Sequence, residues 1–224
     1  MRKNKISHNV ILRLPRYLRY LEDLRSKSVV RISSGELGKI MGITASQIRQ
    51  DFSCFGEFGQ QGYGYNVEML LKEVSEILGT NRERKAILIG AGNLGRAIMG
   101  KFPFAQYGFR LINAFDVAPH VVGQELFGLT VHHIDELEKT MDIAVPDIAV
   151  LAMFSDSTDA ITDRLVKGGV RAIWNFTNVD IHIAKPEENP GVLIENLHFS
   201  DSLLTLSYYM THNPYDQVET ELTK

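Results

Sequence analysis

The sequence predicts an α/β protein with two folds in series, an N-terminal winged helix-turn-helix domain and a C-terminal Rossmann domain. Capped helical patterns fill the first 54 residues, and a segment rich in glycine and aromatic residues follows them. After residue 84, short apolar strands alternate with helices, which is typical of a parallel sheet with crossover helices. A chain of 224 residues has room for one large domain or two small ones.

Charge is distributed unevenly along the chain. Residues 1–50 contain 11 Lys and Arg against 3 Asp and Glu, a net charge of +8, whereas the whole chain carries −3. A basic N-terminal segment in an otherwise acidic chain favours contact with a polyanion, although a solvated basic surface would give the same number of positive charges. A single cysteine excludes a disulfide framework, and neither a secretory signal nor a membrane span is apparent. A cytoplasmic setting is therefore expected.

The first helix is predicted over residues 12–24, with Pro15 in its first turn. Apolar residues recur on one face at helical spacing, namely Leu14, Tyr17, Leu18, Leu21 and Leu24. Arginines at positions suited to phosphate contacts occur along the same helix, at Arg13, Arg16 and Arg19.

The next two helices form a candidate helix-turn-helix. A second helix with a serine N-cap ends at Gly42, and a third, capped by Thr44, runs from Ala45 to about Phe52. The exposed face of the third helix offers side chains suited to base edges or phosphates, namely Ser46, Gln47, Arg49 and Gln50. The alternative is a helical hairpin that makes protein contacts.

The segment 55–66 (FGEFGQQGYGYN) interleaves four glycines with aromatic residues and predicts a wing or hairpin, with Gln60 and Gln61 as further DNA contacts. Cys54 precedes it, between two phenylalanines. We expect this thiol to pack in the core, with oxidation sensing as the alternative. A helix over 67–78 and a polar linker over 80–84 follow.

The rest of the chain alternates strands and helices. Strands are predicted at 85–89, 110–115, 148–152, 171–174 and 192–194, and helices near 94–102, 134–141 and 156–167. An apolar helix over 200–210 lies outside this alternation. We therefore divide the chain into a DNA-binding domain over 1–79, a Rossmann domain over 80–199 and a C-terminal helix and tail over 200–224.

A GxGxxG turn follows the first strand of the second domain and opens a helix. An acidic residue, Asp116, ends the next strand, 21 residues after Gly95. This context predicts a dinucleotide site in which glycines admit the pyrophosphate and the acid binds the adenine ribose, favouring NAD(H) over NADP(H). The candidate contacts are Gly90, Ala91, Gly92, Asn93, Leu94, Gly95, Asp116 and the adjacent Val117. The alternative is an α/β domain whose turn binds nothing.

Such a site also suits an NAD-dependent dehydrogenase. A hydride-transfer enzyme needs a proton-handling residue and a substrate pocket, often in a second domain. The chain has no Tyr-xxx-Lys pair, and His132, His133 and His198 could serve as general bases in principle, although isolated histidines are more often ordinary surface or core residues. We therefore favour a regulator over an enzyme, and either over a pure protein-interaction module.

The chain resembles the Rex redox-sensing transcriptional repressors of bacteria over nearly its whole length. The resemblance rests on RLPRYLRYL, TASQIRQDFSCFGEFGQQGYGYNV, IGAGNLGRA with the later aspartate, IWNFT and IENLHF. It implies a homodimer whose C-terminal helix is exchanged between subunits. It further implies that the protein binds palindromic operator DNA when free or bound to NAD⁺ and is released by NADH.

The resemblance also implies further cofactor contacts and shows two departures. Near the nicotinamide it places Phe154, Asn175, Phe176 and Thr177, with Phe199 packing at the nicotinamide of the partner subunit. Gln50 stands where a lysine is common in the family, and Gln60 and Gln61 where the wing often carries a basic residue. Many members pair a tyrosine with an aspartate to switch state, and this chain has Lys101 or Phe102, and His198, at those positions.

Overall fold

The structure, a computed structural model, describes residues 6–55, 63–154, 157–182 and 191–212. The chain divides into two compact units, Met1–Arg82 and Glu83–Lys224. We describe each unit by itself. In the described parts of the chain, no helix is both long and apolar enough to cross a membrane.

The first unit contains four helices and a short ribbon among its described residues. The helices are α1 (His8–Ser26), α2 (Ser34–Met41), α3 (Ala45–Ser53) and α4 (Val67–Leu78), and the ribbon pairs β1 (Arg31–Ile32) with β2 (Tyr65–Asn66) in antiparallel register. Ser33 and Glu36 form a reciprocal capping box at the start of α2. Gly42 ends α2 in the left-handed region at φ 68°. These local signals explain why the helix-turn-helix was predictable.

Helix α1 differs from its prediction at the N-terminus. It begins at His8, so Pro15 lies inside the helix and the expectation of a first-turn proline was wrong. A proline at this position cannot donate a hydrogen bond to the carbonyl of Ile11. Ile11 and Pro15 are both exposed, so water can bind that carbonyl. The predicted apolar face is confirmed, because its five residues are all buried.

The second unit is built on a seven-stranded sheet in the order β5-β6-β4-β3-β7-β8-β9. The strands are β3 (Arg84–Ile89), β4 (Phe109–Asp116), β5 (Glu125–Leu126), β6 (Leu129–His133), β7 (Ile148–Leu151), β8 (Ala172–Asn175) and β9 (Leu193–Asn196). All neighbouring pairs are parallel except β5 with β6. The helices are α5 (Asn93–Lys101), α6 (Leu137–Ile143), α7 (Thr158–Lys167) and α8 (Phe199–Thr211), with 3₁₀ turns at Phe104–Tyr107 and Ile134–Glu136.

The β5–β6 hairpin was not predicted. Its turn places Phe127 and Gly128 at φ 52° and 80°, and a phenylalanine is an uncommon residue at such a position. A two-residue strand next to a half-polar one gives too little periodicity to detect in the sequence. Strand β6 nevertheless extends the parallel sheet by pairing with β4.

Apolar side chains cover both faces of the sheet. On one face, Ile87, Phe115 and Leu151 belong to a core with Leu137 and Leu165 of α6 and α7. The other face packs on α5 and includes the half-buried rings of Trp174 and Phe176. Strand β3 lies between β4 and β7, so the chain reverses its direction of winding there, and ligands of open α/β sheets bind at the carboxyl ends of such strands.

Candidate cofactor site and nucleic-acid interface

The glycine turn lies at the carboxyl end of β3, directly before α5. Gly90 has φ 96°, and an added Cβ would lie 2.7 Å from the carbonyl oxygen of Ala152. At Gly95 an added Cβ would overlap the carbonyl oxygen of Gly90. At Gly92, by contrast, an added Cβ would meet nothing within 4 Å. Gly90 and Gly95 are therefore needed for the protein's own packing, whereas Gly92 leaves open space at the start of the helix.

Asp116 at the end of β4 is bound to the glycine turn. One carboxylate oxygen, Oδ2, accepts a 2.6 Å hydrogen bond from the amide of Ala91. The other, Oδ1, accepts from the amides of Val117 and Ala118, each at 2.8 Å. A carboxylate has about four acceptor positions, so it can accept a ribose hydroxyl in addition. The sequence predicted the ribose role but not this second role in shaping the turn.

A cavity of about 700 Å³ opens beside this turn, a volume in the range of cofactor sites. Predicted site residues that line it are Gly90, Gly92, Asn93, Leu94, Asp116, Val117 and Phe154. Phe154 is 85% exposed, so its ring is accessible to a ligand in the cavity. The cavity is therefore bounded by the glycine turn, the end of β4 and the residues that follow β7.

The far wall of the cavity comes from residues that sequence reasoning missed. Ile134, Ile161 and Arg164 line it. Arg164 donates from Nε and Nη2 to the two carboxylate oxygens of Glu138, and from Nη2 to the carbonyl of Ile134 at 2.9 Å. The hydrogen bonds from Arg164 lower the pKa of Glu138 to about 2. No local sequence signal marks this wall, because it joins residues 26 positions or more apart.

Asn175 and Thr177 are buried and bonded to each other, and neither lines the described cavity. The Asn175 amide donates to the Val179 carbonyl at 2.7 Å and to Asn196 Oδ1 at 2.8 Å. Its oxygen accepts from the Thr177 amide and hydroxyl. All four hydrogen-bonding positions of Asn175 are thus occupied. These hydrogen bonds fix the conformation of the chain after β8. Of Asn175, Phe176 and Thr177, only Phe176 has a half-buried side chain that a ligand can contact.

Phe199 begins α8, and its ring centroid lies 6.2 Å from that of Phe176. Its neighbour His198 bonds Asp180 at 2.8 Å through Nε2. This hydrogen bond raises the pKa of His198 and lowers that of Asp180. Phe102 packs edge-on against Trp174 at 5.0 Å and has no hydroxyl. Phe102 therefore makes an aromatic contact here, and His198 forms a histidine–aspartate pair.

Arg13, a predicted phosphate contact, is already bonded within the first unit. Its guanidinium forms a bidentate ion pair with Asp51, from Nε to Oδ2 at 2.6 Å and from Nη2 to Oδ1 at 2.7 Å. The Tyr17 hydroxyl donates to Oδ2 and the Gln47 amide to Oδ1, each at 2.8 Å. Because Asp51 is fully buried, these donors are held inside the unit.

The Asp51 carboxyl is ionised despite its burial. Burial alone would raise its pKa, but the hydrogen bonds from Arg13, Gln47 and Tyr17 outweigh it and lower the pKa. Burial and the bond to Asp51 raise the pKa of the Tyr17 hydroxyl, which stays protonated. Sequence reasoning missed Asp51 because its partners lie up to 38 residues away, although Arg13 and Tyr17 are spaced to share one face of a helix.

This ion pair makes stability depend on pH in a defined direction. A lowered folded pKa contributes stability that is present above the ordinary Asp value of about 4 and is lost as the pH falls through the folded value. We therefore expect thermal melts followed by circular dichroism to show the first unit losing stability below about pH 4. The loss should be smaller in Asp51→Asn, which cannot ionise. Equal acid sensitivity in both proteins would contradict the assignment.

The exposed surface of α3 is close to that predicted. Ser46, Arg49 and Gln50 are exposed, and Arg49 Nη1 donates to the Ser34 hydroxyl at 3.0 Å. On α1, Arg16 is exposed and donates to the Met41 carbonyl at 2.8 Å. Gln60 and Gln61 lie outside the described residues.

Cys54 is exposed, so the expectation that it packs in the core was wrong. It follows the last turn of α3, and its thiol donates to the Gln50 carbonyl at 3.4 Å.

The first unit contains a helix-turn-helix, and the second is a Rossmann unit with an acidic residue beside its glycine turn. This combination defines a class of DNA-binding proteins that carry a nucleotide site. Two family models match the corresponding segments. One, described as "Putative DNA-binding protein N-terminus", matches residues 5–53, and the other, described as a CoA binding domain, matches residues 81–179.

Comparison with known proteins narrows the class to a family. The chain is 46% identical to the redox-sensing transcriptional repressor Rex of Clostridium beijerinckii, covering 95% of this chain and 99% of the relative. It is 47% identical to the Clostridium tetani Rex, covering 93% and 97%. A crystal structure of RSP with β-NAD⁺ and operator DNA matches at 43% identity and TM-score 0.85, covering 98% of this chain and 99% of that one. The chain therefore belongs to the Rex family of redox-sensing transcriptional repressors, and the prediction of a regulator rather than an enzyme is confirmed.

Proposed function

We propose that this protein represses transcription by binding a palindromic operator when free or bound to NAD⁺, and that NADH releases it. The observation that supports this most directly is the coupling of Asp116 to the glycine turn beside a 700 Å³ cavity, in a chain that begins with a helix-turn-helix. Related RSP structures contain β-NAD⁺ with operator DNA in one case and β-NADH in another. A bacterial repressor acts where the chromosome lies, so we assign it to the cytoplasm.

In this proposal the dinucleotide lies along the cavity at the carboxyl ends of β3, β4 and β7. The α5 N-terminus and the open space at Gly92 receive the pyrophosphate, because amides at a helix start point toward an anion. The adenosine ribose binds Asp116, whose charge repels a 2′-phosphate. The nicotinamide extends toward Phe154 and Phe176. Asn175 and Thr177 support that end through the backbone they hold.

The proposed DNA surface uses the exposed side of the helix-turn-helix. Ser46, Arg49 and Gln50 face the major groove, and Arg16 contacts a phosphate. Gln60 and Gln61 are assigned to the wing. Arg13 remains a candidate phosphate contact through Nη1, because its pair with Asp51 uses Nε and Nη2.

We further propose that α8 joins two copies of the chain into the homodimer that a palindrome requires. None of its residues is buried, although it carries a series of large apolar side chains that are 53–78% exposed: Phe199, Leu203, Leu204, Leu206, Tyr208, Tyr209 and Met210. Such a helix is stable in water only when another surface covers it. The same unit offers an apolar cavity of about 230 Å³ among Phe102, Phe109 and Trp174, which a second copy can fill.

The function is tested by fluorescence anisotropy with a labelled palindromic operator at fixed salt, because affinity falls steeply with salt. NADH should raise the operator Kd at least about tenfold, whereas NAD⁺ should leave it nearly unchanged. Arg49→Ala should weaken operator binding and keep NADH affinity, since the side chain lies on α3. Operator binding that is insensitive to saturating NADH would contradict the proposal.

Asp116→Asn should lower NADH affinity about tenfold and reduce the preference for NADH over NADPH. The amide keeps the shape but loses the charge that repels the 2′-phosphate, and it has a single acceptor oxygen for the three loop amides. Isothermal titration with both nucleotides measures the change. Asp159→Asn, an exposed acid on α7, is the matched control and should match the parent protein. An unchanged nucleotide preference in Asp116→Asn would remove Asp116 from the ribose site.

A further inference from the structure

The buried carboxylate of Asp51 joins α1 to the face of α3 that carries Gln47. Oδ2 accepts from Arg13 Nε and the Tyr17 hydroxyl, and Oδ1 accepts from Arg13 Nη2 and the Gln47 amide. Four donors from three side chains therefore fill the carboxylate's acceptor positions. Because Asp51 is 0% exposed, no water is available to replace a lost donor. Rotating or sliding α3 on α1 would leave a buried charge unpaired, which is strongly unfavourable.

Asp51 also fixes which way the Gln47 amide points. An ionised carboxylate accepts hydrogen bonds only, so the side of the amide that faces Asp51 must be its NH₂ group. The low pKa of Asp51 keeps the carboxylate ionised at neutral pH. One N–H of Gln47 is thus used at 2.8 Å, and the second N–H and the carbonyl oxygen stay available. This leaves one donor and one acceptor, side by side and in a fixed order.

We propose that Gln47 reads an adenine in the operator and that Asp51 is the positioning residue that sets the order of its donor and acceptor. Adenine presents N7 as an acceptor and the N6 amino group as a donor in the major groove, the pattern that a glutamine amide matches. Gln47 is the third residue of α3 and is half-buried, with Ser46 exposed and Ile48 buried beside it, and base contacts in helix-turn-helix proteins come from this end of the recognition helix. The inference rests on the proposed operator binding.

The test is a base scan of the operator. Each base pair of a half-site is changed symmetrically to the other three, and Kd values are measured by anisotropy for the parent protein and its variants. The parent should prefer A·T about tenfold at one position. Gln47→Met, which keeps the side-chain length without the amide, should lose that preference there and keep it elsewhere. Preferences that are identical for the parent and Gln47→Met would overturn the proposal.

The role of Asp51 is tested separately with Asp51→Asn. Asparagine offers both a donor and an acceptor, so the Gln47 amide can turn over and the preference at the Gln47 position should fall at least threefold. Asp51→Asn leaves the Arg13 charge without its partner, so Arg13→Gln/Asp51→Asn provides a neutral pair if the single variant fails to fold. A folded variant of either kind that keeps the full preference at that position would overturn the positioning role.

Two controls distinguish a failure of the inference about Gln47 and Asp51 from a failure of the proposed operator binding. Tyr17→Phe removes a donor from Asp51 Oδ2 only, so it should keep the base preference at the Gln47 position. If that preference were lost, any disturbance of the cluster would have this effect. The specific role of Asp51 Oδ1 would then be overturned. NADH affinity should be unchanged in all variants. If the parent binds operator no better than unrelated DNA, the proposed function itself fails. If the parent is selective and Gln47→Met keeps the same selectivity, only the inference about Gln47 fails.

Discussion

Replacing Gly92 with alanine should weaken NADH binding at least about 100-fold, equivalent to about 2.7 kcal/mol, while leaving thermal stability unchanged. The backbone at Gly92 has φ −73°, which alanine adopts without strain, and the new methyl group would touch no protein atom within 4 Å. The methyl would instead occupy the space from which the pyrophosphate approaches the start of α5. The loss is therefore confined to the ligand.

Gly95→Ala is the matched comparison and should behave in the opposite way. Its Cβ would overlap the carbonyl oxygen of Gly90, a backbone atom that cannot move aside cheaply. We expect a clear fall in melting temperature, with NADH binding lost as a consequence. Differential scanning calorimetry and isothermal titration of both variants distinguish the two cases. Full NADH affinity in a folded Gly92→Ala protein would show that the dinucleotide does not lie across this turn.

Leu203→Ser/Leu206→Ser should convert the proposed homodimer to monomers and weaken operator binding at least about 100-fold. Burying a leucine is worth about 1.5–3 kcal/mol, and in a symmetric dimer each substitution occurs twice. Both leucines are exposed in the single chain, at 66% and 56%, so the folded monomer loses little by the change. A monomer reads one half-site at a time and loses the gain from binding two together.

Ser202→Ala/Ser207→Ala provides the control on the same helix. Both side chains are exposed, and the Ser202 hydroxyl donates to the Phe199 carbonyl within α8. The control should keep the dimer and the operator affinity of the parent. Sedimentation velocity gives the oligomeric state, and anisotropy gives the affinity. A stable dimer in the double leucine variant would contradict the role of α8.

Local signals account for the parts of the fold that the sequence predicts well. The capping box at Ser33, the left-handed glycines that end α2 and α4, and the apolar β3 strand before the glycine turn are all determined by residues within a few positions of one another. The same holds for Asp116, whose place at the end of β4 follows from its spacing after the turn. The candidate contacts of the glycine turn and Asp116 could be predicted because the nucleotide motif is local.

Features that depend on distant residues were missed. Asp51 and Arg13 are 38 positions apart, and nothing in either neighbourhood shows that they pair. The network of Asn175 joins residue 196 in the same way, and the cavity wall at Arg164 depends on Glu138 and Ile134. In these cases a polar side chain is bonded to a distant partner within the fold, which narrows the roles that Asn175 and Thr177 can have.

The contacts of Phe102 and His198 bear on how we propose that NADH acts. The Phe102 ring has no hydrogen-bonding group, and His198 is bonded to Asp180. The described route from the nicotinamide end to α8 is therefore aromatic, through Phe176 to Phe199. A ligand can shift the dimer between states only by its difference in affinity for them. The packing of the nicotinamide against these rings is the proposed source of that difference.

The central claim is that the NADH site and the operator site are coupled within one dimer. Isothermal titration of NADH into the protein, alone and saturated with operator duplex at the same salt, measures that coupling directly. By linkage, operator must weaken NADH binding by the factor by which NADH weakens operator binding, and we expect at least about tenfold. NAD⁺ should show nearly equal affinities with and without operator. Equal NADH affinities in the two titrations would contradict the account.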